Sequence, residues 1–321
     1  MSAAFDTLAS NLLVPTILFF LLGLAAALAR SDLSIPEGAA KVMSLYLLLA
    51  IGFKGGVSLA EHGLHRDLFV AIGLGVILSL ALPFVAFLLI RTMTRLDLMN
   101  AAAVAGHYGS ISIVTFVTAV SLLDLTGIAH DGYMVAVAAA MEAPAILSAL
   151  WIAHRWSGVG HSGPGLYRDI LANGSIVLLV GAFAIGAATG PEGMDMIAPF
   201  VVTPFTGVLC LFLLDMGLSA GRSLMRNRHL LSPGLFLFGL VMPMIGAVSA
   251  WGLANLAGMQ TGSAFLLMVL AASASYIAVP AAMRIALPKA ESGIYLTLSL
   301  GVSFPFNVAI GLPIYLWLAG L

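Results

Sequence analysis

GHYGSISIVTF, residues 106–116, puts two glycines, a histidine, a tyrosine, two serines and a threonine into a run that otherwise reads as a membrane-spanning helix. Inside a bilayer no water is at hand for free backbone N–H and C=O groups. A polar interruption at that depth is tolerated only where the freed groups meet protein, water or a ligand. Gly106 and Gly109 ease unwinding, and Ser110, Ser112 and Thr115 add oxygens able to bind an ion or an oxyanion. The stretch predicts a broken helix whose break serves a purpose.

The rest of the chain supports the membrane reading. Its 321 residues are 61% hydrophobic and 8% charged, with a mean hydropathy of +1.10, where a soluble domain carries roughly 25% charged residues. This composition specifies an all-α polytopic membrane protein. The net charge of −1 leaves no basic footprint for nucleic acid, and no nucleic-acid partner is expected. The single cysteine, Cys210, excludes a disulfide framework or thiolate metal site and reads as a packing residue. No positive residue precedes the first apolar run, so the start lacks the basic segment of a secretory signal and the first helix is expected to be retained.

Apolar runs bounded by charge, Gly or Pro predict ten transmembrane helices, at about 11–29, 36–53, 68–90, 98–121, 132–153, 170–188, 197–218, 232–255, 262–285 and 291–318. The loops after the odd-numbered spans hold Arg30, Lys41, Arg91, Arg95, Arg155, Arg168, Arg222, Arg226, Arg228, Arg284 and Lys289. The opposite loops hold only Lys54 and Arg66, beside Asp6, Asp124, Asp131, Glu192 and Asp195. Positive residues are retained in the cytoplasm, so both termini are expected on the non-cytoplasmic side of the cell inner membrane.

Ten spans divide into two halves of five, residues 1–155 and 170–321, joined by a cytoplasmic linker at 156–169. An odd number per half makes any repeat between them inverted. FKGGVSLA (53–60) aligns with LDMGLSAG (214–221) at an offset of 161, pairing Gly56 with Gly217 and Ser58 with Ser219. MEAPAI (141–146) meets VSFPFN (302–307) at the same offset, pairing Pro144 with Pro305. YGSISIVT (108–115) meets SASYIAVP (273–280) at 165, pairing Ser110 with Ser275. Three alignments in order at nearly one offset predict two inverted five-helix repeats with discontinuous helices at the midplane.

The counterpart of the opening stretch, SASYIAVPAA (273–282), carries Ser273, Ser275, Tyr276 and Pro280, and Pro280 donates no helical hydrogen bond. If both spans unwind near the midplane, two half-helix N-termini face each other across the repeat axis and favour an anion. The alternative is that the small and hydroxyl residues only allow close helix packing. Lys54, Glu142 and Asp215 lie in or beside apolar runs, where a charge costs about 2.5–3.5 kcal/mol on insertion scales. Glu142, two residues before Pro144, is the foremost candidate for a sodium site or a coupling proton. Lys54, followed by Gly55 and Gly56, and Asp215, whose helix Gly217 is expected to interrupt, read as residues near interfaces, and Asn307 is a neutral amide able to coordinate a cation through oxygen. His107 and Ser110 lie three residues apart, but no orienting acid or zinc pattern accompanies them, and an enzyme is not expected.

YGSISIVTFVTA (108–119) and DGYMVAVAAAMEAPAI (131–146) resemble the core of SbtA-type sodium-dependent bicarbonate transporters, and the resemblance runs through all ten predicted spans. It implies core and gate domains built from both repeats, a homotrimer, and bicarbonate bound between broken core helices with sodium as the coupling ion and no cofactor. Carried onto this chain, it places Gly109, Ser110, Ile111 and Ser112 at the anion or its backbone cradle, with Ser273, Ser275 and Tyr276 opposite. Thr115, Glu142, Asn307 and Asp215 are the sodium-binding or coupling candidates. His107 departs from the pattern, which has a smaller or hydroxyl residue there. The linker at 154–169 is short for docking a PII-like cytoplasmic regulator. The expected function is sodium symport of a small anion, bicarbonate by resemblance, with alternating access. The alternatives are a transporter of another small carboxylate or inorganic anion, or an anion channel.

Overall fold

Apolar residues on every side of a helix, rather than on one stripe, are what a bilayer demands. The computed structural model describes residues 15–63, 66–142, 144–157, 174–276, 279–280, 283, 287 and 289–320, and all regular structure among them is helical. In chain order the helices are α1 Pro15–Leu28, α2 Glu37–His62, α3 Arg66–Met93, α4 Leu98–His107, α5 Ile113–Thr126, α6 Met134–Glu142, α7 Pro144–Ser157, α8 Gly174–Val201, α9 Phe205–Asn227, α10 Pro233–Ala257, α11 Thr261–Ala272 and α12 Ser292–Ala319. Seven segments are long and apolar enough to cross a membrane: α2, α3, the α6–α7 run, α8, α9, α10 and α12. Three shorter apolar helices, α1, α5 and α11, accompany them. Leu22, Phe69, Leu88, Ile185, Leu211 and Trp317 point outward and exposed, the surface of a multi-pass membrane protein.

Several helices outrun the boundaries that charge and glycine suggest. α2 continues through Lys54, Gly55 and Gly56 to His62, and α9 runs through Asp215 and Gly217 to Asn227. Lys54 and Asp215 thus lie inside helices rather than at their ends, and Gly217 does not interrupt α9. The segment between the predicted sixth and seventh spans is also helical, broken only at Gly190, whose φ of 58° and ψ of −153° precede Pro191. α12 widens into π-helical turns at Thr297–Ser303 and Asn307–Gly311, flanking Pro305. The 156–169 linker lies almost entirely outside the described residues.

Packing explains why glycine continues these helices. α2 packs along α8, and α1 along α9. In the first pair a Cβ on Gly56 would stand 2.0 Å from the Phe183 carbonyl oxygen, and one on Gly186 would stand 2.2 Å from that of Phe53. In the second pair Gly217 meets the Phe20 carbonyl at 2.1 Å and Gly23 meets that of Leu214 at 2.1 Å. Each helix offers a glycine to its partner's backbone and receives one in return. Backbones this close gain dispersion contacts that lipid tails do not supply to a helix alone.

The remaining helices gather around α3. It packs against α4, α6, α7 and α10, while α11 packs against α10, α5 and α12. This arrangement brings the end of α4 and the end of α11 together at the centre of the chain's contacts.

Candidate functional site

α4 starts at Asp97, whose carboxylate accepts the Met99 and Asn100 N–H groups, each at 3.0 Å, and it stops at His107. Ser112 then caps α5, its Oγ accepting the Thr115 N–H at 3.3 Å and the Thr115 hydroxyl at 2.9 Å. α11 stops likewise at Ala272, and Ser275 Oγ accepts the Val279 N–H at 3.4 Å. The two helix ends, His107 and Ala272, lie 165 residues apart, the offset at which YGSISIVT aligns with SASYIAVP.

The two breaks satisfy each other. The Ser112 N–H donates to Ser273 Oγ at 2.8 Å, and the Ser275 N–H donates to the His107 carbonyl at 2.8 Å. Ser273 in turn donates its hydroxyl to the Leu270 carbonyl at 2.8 Å. Groups that unwinding would leave bare inside the membrane are thereby bonded.

The α6–α7 run passes beside them, with Glu142 the last described residue of α6 and Pro144 the first of α7. Pro144 has no N–H to offer the preceding turn. Ser79 of α3 fills the gap, donating to the Met141 carbonyl at 2.6 Å and accepting the Ala145 N–H at 3.1 Å. Ser110 donates to the Glu142 carbonyl at 3.2 Å and ties the first break to the end of α6.

Between these breaks and the α2–α8 pair lies a narrow cleft. Ile111, Ser112, Ile113, Glu142, Ser275 and Tyr276 line one side, and Leu48 of α2 and Leu179 of α8 the other. The cleft holds about 340 Å³ of empty space counting its mouth, of which about 10 Å³ admits the centre of a water molecule. The Tyr276 hydroxyl is shielded from solvent beside the Ser112 side chain, and it makes no hydrogen bond of ordinary geometry among the described residues. Glu142 is 8% exposed, and its carboxylate has no hydrogen-bond or ion-pair partner among the described residues. Ser112 uses its oxygen as an acceptor in the cap of α5, and its hydroxyl lies beside that of Tyr276. A cleft with an unpaired donor, a second hydroxyl and a helix N-terminus suits a small oxyanion, and the unpaired carboxylate beside it suits a cation.

Five of the sequence candidates line this cleft: Ile111, Ser112, Ser275, Tyr276 and Glu142. Ser110, Ser273 and Thr115 stand directly behind them in the hydrogen bonds just described. Gly109 faces α3 instead, where a Cβ would come within 2.3 Å of the Pro83 ring. Neither Gly106 nor Gly109 takes a positive φ, so their contribution is room rather than a left-handed turn. Asn307 donates to the Ala272 carbonyl at 2.9 Å and accepts the Tyr315 hydroxyl at 2.8 Å, which holds the end of α11. Asp215, buried on α9, does not line the cleft.

His107 has a structural task. Its ring stacks on Tyr295 at 4.4 Å, and Nδ1 lies 2.7 Å from the Ala103 carbonyl, so Nδ1 carries the proton. Its own carbonyl receives Ser275. The ring makes no contact with the Ser110 hydroxyl, which is committed to Glu142.

The chain matches the family model of the Na+-dependent bicarbonate transporter superfamily over residues 15–320. The chain belongs to that superfamily. None of the curated proteins matches it. Membership of the Na+-dependent bicarbonate transporter superfamily makes the protein a transporter and not an enzyme, and the superfamily's sodium dependence suggests sodium as the coupling ion.

Two residues of this superfamily member escape sequence reasoning. Ser79 lies in an apolar run, with Pro83 one turn away as its only mark. Tyr108 donates its hydroxyl to Ser303 Oγ at 2.6 Å, and Ser303 donates to the Gly239 carbonyl at 2.6 Å, joining the first break to the wide turn of α12 and to α10. A partner 195 residues away leaves no local signal.

Proposed function

We propose that the protein is a secondary active transporter that carries bicarbonate and sodium together into the cell, with both bound where the broken helices cross. The carrying observation is the Tyr276 hydroxyl, buried without a hydrogen bond of ordinary geometry among the described residues, in a cleft that it shares with Ser112 and Ser275. A buried donor left unpaired costs about 1–3 kcal/mol, and an oxyanion between Tyr276, Ser112 and the start of α5 removes that cost. Ile111 and Ser110 shape the cradle, Gly109 gives it room against α3, and Ser273 holds Ser112 in place. Sodium sits beside the anion, with Glu142 as its carboxylate and Thr115 behind it. Asn307 acts by fixing α11, and Asp215 stands apart from the cleft on α9.

Alternating access follows from the arrangement of helices. The reciprocal glycine contacts of α2–α8 and α1–α9 relate Phe53 and Gly56 to Leu214 and Gly217 at an offset of 161, and Phe20 and Gly23 to Phe183 and Gly186 at 163. Two near-equal offsets in two like pairs support inverted five-helix repeats within a ten-span chain, halves 1–155 and 170–321. The four paired helices form the frame, and the helices around α3 move against it with their cargo. The four heavy atoms of bicarbonate need a wider cleft than the one present here, so loading is coupled to that movement. The protein works in the inner membrane as a homotrimer.

Uptake of labelled bicarbonate into proteoliposomes under an inward sodium gradient, against an equal potassium gradient, tests this reading. Saturable uptake that needs sodium supports it, and uptake indifferent to sodium rejects symport. Stronger competition by acetate, pyruvate or nitrate than by bicarbonate itself reassigns the substrate. Unsaturable currents without a coupling ion indicate a channel.

A further inference from the structure

A second, larger cavity lies farther along α2 and α5. From Leu48 at the cleft, α2 runs six residues, about 9 Å, to Lys54; α5 runs from Ile113 past Phe116 and Val120 to Asp124. The cavity between them has about 280 Å³ open to the centres of water molecules, against about 10 Å³ in the cleft. It lies toward the Gly127–Tyr133 connection, on the face that the distribution of Lys and Arg assigns to the outside. Lys54 is the only Lys or Arg in its lining among the described residues.

The charges in this cavity are loosely held. Lys54 Nζ lies 4.0 Å from Asp124 Oδ2, beyond hydrogen-bond length, with the side chains 29% and 45% exposed. His130 Nε2 is 3.9 Å from the other Asp124 oxygen. Asp131, the second carboxylate, is engaged: it accepts the Ser263 hydroxyl at 2.6 Å, and its N–H donates to Ser263 Oγ at 2.9 Å. The Lys54 ammonium also lies 4.8 Å over the Phe205 ring, which keeps it attractive to an ammonium when Asp124 is displaced. A half-exposed pair at this distance is weak and exchanges readily.

We propose that Lys54 is an outer capture site for a small oxyanion, which takes the place of Asp124 at the ammonium before passing about 9 Å along α2 to the cleft. The inference rests on the transport reading for its destination and on the cavity and its charge pair for the site itself. Asp124 is the anion's competitor for Lys54, and the two residues therefore have opposite effects on anion affinity. A pair serving only as a strut between α2 and α5 gives effects of the same sign.

Kinetics and labelling test the proposal together. In proteoliposomes, Lys54→Gln is expected to raise the KM for bicarbonate by about tenfold with the maximal rate nearly unchanged, Lys54→Arg to restore it, and Asp124→Asn to lower it. A rise in KM in both Lys54→Gln and Asp124→Asn, or no change in Lys54→Gln, overturns the proposal. Val120→Cys, in the lining of the same cavity with Lys54 left in place and combined with Cys210→Ala to remove the buried native thiol, is expected to react with a membrane-impermeant thiol reagent from outside and to be protected by bicarbonate. Labelling from the cytoplasmic face only, or labelling that no anion slows, overturns it as well. If the wild type carries no bicarbonate, the transport reading fails on its own; protection of Val120→Cys by nitrate, acetate or chloride still upholds the capture site, and protection by none of them rejects it.

Discussion

The Ser112 N–H donates to Ser273 Oγ at 2.8 Å across 161 residues, and through this bond the break after α4 is completed by the break after α11. Ser273→Ala leaves that N–H buried and unpaired, at a cost of about 1–3 kcal/mol. The expected outcome is a lower melting temperature in detergent together with loss of uptake. Unchanged stability would mean that the two breaks do not depend on each other.

Tyr276→Phe separates binding from folding. Its hydroxyl has no hydrogen bond to lose among the described residues, so stability should not fall, and relief of the unpaired donor should raise it by about 1–3 kcal/mol. A hydrogen bond to a charged group is worth about 1.5–3 kcal/mol, so the KM for bicarbonate should rise about ten- to a hundredfold. Titration of initial uptake rates measures this, and an unchanged KM removes Tyr276 from the anion.

Gly56→Ala places a methyl 2.0 Å from the Phe183 carbonyl oxygen and forces α2 away from α8. Overpacking of this kind costs about 1–3 kcal/mol, and Gly217→Ala should cost the same against Phe20. Gly207→Ala, also on α9 but with nothing within 4 Å of the new methyl, is the control and should be neutral or stabilising. Melting temperatures of the three purified variants check the ordering.

The reading of the sequence succeeded where polarity is out of place and failed where it is hidden by packing. Hydroxyls in apolar runs marked both breaks, since nothing in a plain span requires Ser110, Ser112, Ser273 and Ser275 together. Lys54 and Asp215 read as residues near helix ends because charge and glycine usually end apolar runs. Yet α2 packs so closely on α8, and α9 on α1, that both continue through those residues. Ser79 and the Tyr108–Ser303 bond were invisible for another reason: their partners are distant in sequence, and a lone serine in an apolar run is commonplace. The glycines of the opening stretch were read as unwinding elements, whereas Gly109 makes room for Pro83.

Asp97 provides a pH test outside the membrane. Partial burial pushes its carboxyl up, but the hydrogen bonds from Asn100 and Met99 outweigh this and hold it below the usual carboxylate value. A depressed folded value stabilises the protein above the unfolded value, about 3.9, and that stabilisation is lost as the pH falls through the folded one. Asp97→Ala removes the cap of α4 and should cost about 1 kcal/mol at neutral pH. The difference in melting temperature between Asp97→Ala and wild type should shrink from about pH 5 downward. A difference that grows on acidification would contradict the assignment.

The most direct test of the central claim is a structure determined with sodium and bicarbonate both bound. The expected result is a planar anion touching the Tyr276 hydroxyl and Ser112, with sodium beside Glu142 and the cleft widened to admit them. An anion bound away from the crossing of the two breaks, with Tyr276 still unpaired, would contradict it.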